Sequence, residues 1–370
     1  MKVLYLGHYD EFGGWARAAI DQILALDSVG VDVVCRSVGL GNQTNMNIPQ
    51  RILELEEKSV NNITHCIQHL LPHKIVATKS FKNIAYFVDE TIHYKQNFWH
   101  QYLNTCDQIL VPNHDMKNNL TEILDAKVDY IPHTFDIDKI IATKNSTKPL
   151  EEDIFKFYLV AELSDRKNIL SVIKAYFSEF DKSDNTVLFL KINKFGFQPQ
   201  ELREALGSKI IPDLIRKIKL SKKESSLPNI TPITEKLSNE QMYELHNICD
   251  CFVMPSHGEA WCIPAFEAML FGNTPICSND GGPKDFIDKD NKNTGSLIDG
   301  TRTIPESGDS AFNFIHTGDE SWFQPNDIEI KKQMRFYYEN SKSIDKNDGL
   351  ERAKQFDYKI IGQKLKETIE

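Results

Sequence analysis

Short apolar runs alternate with longer amphipathic stretches along most of this chain. KVLYLGH at the start reads as a buried strand that meets a turn at Tyr9–Gly14, and helical periodicity follows from Trp15 to about Leu26. VDVVCRS (31–37) is the next strand, so the chain opens β-α-β. The apolar runs 83–88, 107–113 and 128–132 alternate with helix-like stretches such as NFWHQYLNTC and KNNLTEIL. Such alternation predicts a parallel sheet covered by helices on both faces. After Asp138 the pattern lapses into TKNSTKPLEED (143–153), polar and proline-containing, which is the best candidate linker. A second alternation then begins: FKFYLVAE (155–162), a helix over Asn168–Phe180, TVLFLKI (186–192), a long helical stretch over Gln200–Lys222, and NITPI (229–233). It closes with a helix opened by the capping-box pattern Ser238-x-x-Gln241 and the strand CFVMPS (251–256). The expected organisation is α/β, with domains over 1–148 and 149–350 and a C-terminal helix over 351–370 packing back toward the first. Open sheets of this type bind ligands at the carboxyl ends of their strands, so two facing one another define one cleft.

Composition narrows the functional classes. A length of 370 residues suits two domains at roughly 100–200 residues each, and 41% hydrophobic residues give each a core. The formal charge of −10 lacks the electrostatic footprint of a nucleic-acid partner. No segment approaches the roughly 18 apolar residues of a membrane span, and MKVLYLGHYDEFGG meets acid and glycine too soon for a secretory signal. The expected location is cytoplasmic, with the inner membrane face open to peripheral contact. The seven cysteines are scattered without C-x-x-C spacing and read as reduced thiols. N-x-T triplets at Asn62 and Asn229 carry no weight without a signal.

The chemistry concentrates in PSHGEAWCIPAFEAMLFGNTPICSNDGGPKDFI (255–287). A strand runs into the loop His257–Ile263, and Pro264 stands where a helix should begin. Free N–H groups and the helix dipole at such a terminus favour a phosphate. Glu259 in the loop and Glu267 one turn into the helix flank that anion site. A carboxylate repels a diphosphate, so each glutamate is expected to grip sugar hydroxyls, and a nucleotide-sugar has hydroxyls on either side of its diphosphate.

Glu259 and Glu267, with Gly258, Pro264 and EAMLFGNTPI, resemble the E-x7-E signature of retaining GT-B glycosyltransferases of family 4. LVPNHDMKNNL with YIPHTFD resembles the end of that family's N-terminal domain, and ESWFQPND with KKQMRFYYEN its C-terminal region. The resemblance implies a GT-B fold of two Rossmann-like domains facing each other across a cleft. It places Glu259 on the donor sugar's hydroxyls, Glu267 on the ribose, and the backbone around Ala260, Trp261 and Cys262 on the diphosphate. The family often has glycine at the positions of Ala260 and Cys262, so any geometry there that needs positive φ is in question. Arg166 and Lys167, in LSDRKN after FKFYLVAE, resemble the family's Arg-Lys pair and would neutralise the diphosphate as the glycosidic bond breaks. Glu162 stands about where many members have a further arginine.

In the first domain, Gly13 and Gly14 match the family's glycine-rich loop, admit a substrate close to the backbone and are candidate donor contacts. A dinucleotide site would want G-x-G-x-x-G and an acid after the second strand, and neither is present. Asp89 or Glu90, in VDET, are candidates to orient an acceptor hydroxyl, against the ordinary reading of a turn or cap. His93, His100 and His133 compete for the family's histidine role, with His133 read as structural. His257 is a candidate donor contact. Trp261 is a candidate sugar-stacking platform, while Phe266 and Trp322 read as buried packing. Base contacts are expected near Thr231–Leu237. The stretch 208–223 sets Ile211, Leu214, Ile215 and Ile218 on one helical face, as a membrane-surface helix would, and packing on the sheet explains the same pattern.

The function expected is transfer of a sugar from a UDP- or GDP-linked hexose to a glycan or glycolipid acceptor, with retention and in surface polysaccharide synthesis, as the resemblance implies. No cofactor and no metal are expected. Two alternatives stand: a nucleotide-sugar epimerase or phosphorylase on the same architecture, and a non-catalytic nucleotide-sugar-binding scaffold subunit.

Overall fold

The computed structural model describes residues 1–11, 13–40, 48–91, 98–146, 154–194, 196–218, 224–305 and 320–370. Two compact units result, one built chiefly from Met1–Ile137 with Lys354–Glu370, the other from Asp138–Ser307 with Trp322–Ala353. The division follows Ile137, ahead of the polar stretch: Ile137–Ser146 is helical, and 147–153 lie outside the described residues.

The first unit holds a six-stranded sheet of β1 (Lys2–Gly7), β2 (Asp32–Ser37), β3 (His65–His69), β4 (Lys82–Tyr86), β5 (Gln108–Val111) and β6 (Lys127–Tyr130). Its order is β2-β1-β3-β4-β5-β6, and every pairing is parallel. β3, at the centre, is the strand that hydrophobic patterning passes over, because HCIQH is polar in composition. Gln68 and His69 are nevertheless buried, and each is hydrogen-bonded. Gln68 exchanges two hydrogen bonds with the backbone of Val76 (3.0 and 3.1 Å), and His69 Nδ1 lies 3.0 Å from Tyr5 Oη. The helix Gly14–Ser28 buries Ala16, Ala19, Ile20, Ile23 and Leu26 at helical spacing.

The C-terminal helix Tyr358–Ile369 belongs to this first unit and packs on Gly14–Ser28. Asp357 caps it, and Ile361, Leu365 and Ile369 form its buried face. Gly362 makes the approach possible, since a Cβ there would lie 2.4 Å from the carbonyl oxygen of Ala25. Tyr358 adds a hydrogen bond to Asp21.

The second unit has a matching parallel sheet of β7 (Phe155–Glu162), β8 (Thr186–Asn193), β9 (Asn229–Ile233), β10 (Cys251–Met254), β11 (Thr274–Ser278) and β12 (Ser296–Ile298), in the order β12-β11-β10-β7-β8-β9. β7 and β10, side by side at the centre, send their carboxyl ends into the loops that carry Arg166-Lys167 and Glu259. Ile211, Leu214 and Ile215 on the helix Ile211–Ile218 are half-buried and do not enter the core; 219–223 lie outside the described residues. Among the described residues no helix is long and apolar enough to cross a membrane. All seven cysteines are buried, unbridged thiols.

Candidate functional site

β10 ends at Met254, and the chain passes through Pro255–Cys262 into the helix Ile263–Leu270, with Pro264 in its first turn. Cys262 precedes that helix with φ 72° and ψ 64°, left-handed backbone that a side chain makes costly by roughly 1–2 kcal/mol. The positive-φ geometry therefore survives at Cys262 without glycine, at the expense of strain. Beneath the loop, Gly281 (φ 60°) and Gly282 are close enough that a Cβ would sit 2.2 Å from the Glu259 carbonyl oxygen or 2.3 Å from the Trp261 Cα. Gly282 N–H donates to Glu259 O at 3.0 Å. The motif spacing does not single out this pair, although Gly-Gly-Pro after a strand is itself a signal of tight backbone approach.

Glu259 is 8% exposed and sits against both cations. Lys167 Nζ lies 2.5 Å from its Oε1, and Arg166 Nη1 lies 3.5 Å from the same oxygen while donating to Gly258 O at 2.8 Å. Burial pushes the carboxyl's pKa up, but the charges of Lys167 and Arg166, with hydrogen bonds from Lys167 and Ser256, outweigh it and hold the group below the usual range. Glu259 is ionised at neutral pH. Both cations keep part of their side chains exposed, 25% for Arg166 and 18% for Lys167, so they can still meet a ligand.

Backbone geometry aims this cluster. Arg166 and Lys167 lie in the 3-10 turn Asp165–Lys167, and Asn168 follows in left-handed conformation before the helix Ile169–Glu179. The buried Asn168 amide donates to Pro255 O at 2.9 Å, and His257 N–H donates to Arg166 O at 2.8 Å. These two bonds tie the cationic turn to the glutamate loop. Asn168 does not stand out in the sequence, though an asparagine after Arg-Lys is one of the few non-glycine residues at ease with positive φ. His257 Nδ1 lies 2.8 Å from Phe323 O and must carry the proton, since a carbonyl only accepts. Its ring stacks on Trp322 at 5.8 Å. Burial lowers its pKa.

Glu267 is also buried, on the helix Ile263–Leu270, with Oε2 3.7 Å from His246 Nε2. Trp261 is 1% exposed and packs on Phe266 (6.1 Å) and Phe286 (5.3 Å), so its ring is core and offers no stacking face. Phe266 and Trp322 are buried as well. Ala260 is buried without positive φ. Glu162 is exposed at the end of β7. Thr231–Leu237 runs from β9 into the loop ahead of the helix Asn239–Ile248.

In the first unit Gly13 has φ 103°, a conformation reserved for glycine, and Gly14 opens the helix. Asp89 turns its carboxylate back on its own loop, accepting from Glu90 N (2.7 Å) and from Thr91 Oγ1 (3.0 Å), which is the geometry of a turn cap. Glu90 is half-buried beside it. His133 is buried against Tyr86, and burial lowers its pKa to about 3. His100 is buried and stacked on Trp99, while His93 lies outside the described residues. Among the described residues no three His, Cys, Asp or Glu side chains form a metal-binding group.

Residues 141–306 match the family model described as glycosyl transferases group 1. No curated protein matches the chain in sequence. Among solved structures, Anabaena Alr3699/HepE in complex with UDP-glucose is similar at 14% identity and TM-score 0.64, over 100% of this chain and 99% of that one. Sucrose-phosphate synthase from Thermosynechococcus elongatus is similar at 15% identity and TM-score 0.66, over 100% and 98%. WaaG, a glycosyltransferase involved in lipopolysaccharide biosynthesis, is similar at 13% identity and TM-score 0.58, over 100% and 99%. Residues 141–306 thus resemble a glycosyl transferases group 1 domain, and the chain as a whole has the GT-B fold of these solved structures.

Proposed function

We propose that the chain is a retaining hexosyltransferase that takes its sugar from a nucleoside-diphosphate donor, UDP- or GDP-linked, and passes it to a glycan or glycolipid acceptor. The observation that carries this reading is the buried, ionised Glu259 held by Lys167 and Arg166 at the ends of the two central strands. Two part-exposed cations stand against one carboxylate, so the cluster retains positive charge for a diphosphate. As the bond from the anomeric carbon to the diphosphate breaks, its electron pair and the growing negative charge go to the leaving phosphate. Preorganised cations there supply the larger share of catalysis, and loss of one such group typically costs about 10²–10³ in rate. Glu259 accepts hydrogen bonds from the donor sugar, Glu267 from the ribose, and the amides of Ala260–Cys262 meet the diphosphate. Base contacts fall to Thr231–Leu237, and acceptor recognition to the first unit, with Asp89 or Glu90.

UDP is the nucleotide to try first, because the similar HepE structure holds UDP-glucose. Thermal unfolding with UDP, GDP and ADP tests the reading: one of the three should raise Tm in a concentration-dependent way, since a ligand that binds only the folded state stabilises it. Failure of all three would overturn it. Conversion of the nucleotide-sugar to an isomer without acceptor would instead favour an epimerase, and nucleotide binding with no turnover a scaffold subunit. Work in surface polysaccharide synthesis at the inner membrane face would use the half-buried Ile211, Leu214 and Ile215, and sedimentation with anionic vesicles tests that contact.

A further inference from the structure

Beyond the glutamates and the cations, a buried polar chain runs behind the second glutamate. Asn273 Nδ2 donates to His246 O at 2.6 Å and to Tyr158 Oη at 2.9 Å. A carbonyl accepts only, so this atom of Asn273 is the amide nitrogen and cannot be its oxygen. Tyr158 Oη thus receives a proton from Asn273 and has one of its own to give. His246 Nδ1, 2.6 Å away, is the acceptor in reach. Reversing that bond would strand the phenol proton in a site where Tyr158 and His246 are fully buried, which is costly. Burial raises the Tyr158 pKa well above its ordinary value, so the phenol keeps this proton. In the neutral imidazole the remaining proton then sits on Nε2. That atom makes no hydrogen bond among the described residues and lies 3.7 Å from Glu267 Oε2.

We infer that His246 is a positioning residue for Glu267, its tautomer fixed by the Asn273–Tyr158 chain so that Nε2–H steadies one carboxylate oxygen while the carboxylate takes the ribose hydroxyls of a bound nucleotide. This rests on the donor-site reading above. Four separate elements converge to build the relay. His246 projects from Asn239–Ile248, Tyr158 from β7, Asn273 precedes β11, and Glu267 lies on Ile263–Leu270. His246 is further locked by stacking on Phe271 at 5.5 Å. A carboxylate oriented in this way stays an acceptor, which is the role ribose hydroxyls require.

The experiment compares binding of the tightest of UDP, GDP and ADP with binding of its 2′,3′-dideoxy form. In the unaltered chain the dideoxy form should bind about tenfold more weakly, the loss expected for hydrogen bonds to a charged group. His246→Leu should bring that ratio close to one, His246→Gln, which keeps a donor at the same reach, should retain most of it, and Tyr158→Phe should lower it part of the way. In a Glu267→Ala background, His246→Leu should change nothing further. A ratio unchanged in His246→Leu, or equal weakening of both ligands, overturns the relay, because a merely structural loss would not distinguish the two sugars. Should His246→Leu fail to fold, Tyr158→Phe decides by the same ratio. If none of the three nucleotides binds the unaltered chain, the donor-site reading falls, and this inference with it.

Discussion

The two sheets share a parallel six-stranded plan but end on opposite chemistry. In the first unit, the residues around the carboxyl ends of β1, β3 and β4 include Tyr5, His8, His69, Tyr86 and His133, all buried. Burial lowers the pKa of all three histidines, so these imidazoles are neutral at pH 7. In the second unit the equivalent ends carry a buried carboxylate held ionised by two cations. A fold of this kind tolerates a charge in its interior only where partners are assembled for it, and the second unit assembles them around Glu259. At its strand ends the second unit clusters a carboxylate with two cations, while the first sets aromatic rings and imidazoles there, with the Asp89 carboxylate bonded into its own loop.

The strongest way to break this contrast is to remove the charge. Glu259→Gln should keep the fold and lower transfer by about 10²-fold or more, measured as turnover of a sugar nucleotide with acceptor. Unchanged turnover would take Glu259 out of the site. Lys167→Met should cost more in stability than Glu259→Gln. It leaves a buried carboxylate short of its nearest cation, a change worth about 3–5 kcal/mol in denaturant unfolding, and Lys167→Met with Glu259→Gln together should recover much of it.

Acid should separate the units next. A histidine held neutral by burial has a folded pKa below its unfolded one; its stabilisation is complete above about pH 6.5 and is lost as pH falls toward the folded value. His133, with a folded value of about 3, should by itself cost stability at about 1.4 kcal/mol per pH unit across that range. Glu259, depressed below the usual carboxylate value, adds nothing between pH 7 and pH 5. His133→Gln should therefore flatten the loss of stability between pH 7 and pH 5, as denaturant midpoints would show, and an unaltered slope would refute the neutral assignment. The smallest effect expected is at Cys262. Cys262→Gly relieves the left-handed strain, so stability should stay level or rise by up to about 1 kcal/mol with activity kept, whereas a β-branched Cys262→Val should lose both.

The second unit is the more legible in sequence for the same reason that it is the more charged. Glu259, Glu267, Arg166 and Lys167 are conspicuous residues at strand ends, and alternation locates β7, β8, β9 and β10 around them. What escapes is polar residue serving as structure. HCIQH does not read as a strand because the partners of Gln68 and His69, namely Val76 and Tyr5, come from elsewhere in the chain. Trp261 invites a functional reading by its residue type, yet its ring is core. Gly281, Gly282, Asn168 and His246 act through backbone approach or through a neighbour, and periodicity carries no trace of such contacts.

The central claim is a division of labour within the second unit, with the cations on the diphosphate and Glu259 on the donor sugar. Calorimetric titration of the unaltered chain, Lys167→Met and Glu259→Gln with the preferred nucleoside diphosphate, beside a transfer assay of each, tests it most directly. The account predicts nucleotide binding weakened about tenfold or more in Lys167→Met, a loss of the size expected for a charge-assisted contact. In Glu259→Gln it predicts binding close to that of the unaltered chain, with transfer largely lost. Nucleotide affinity unchanged in Lys167→Met, or transfer intact in Glu259→Gln, would contradict it.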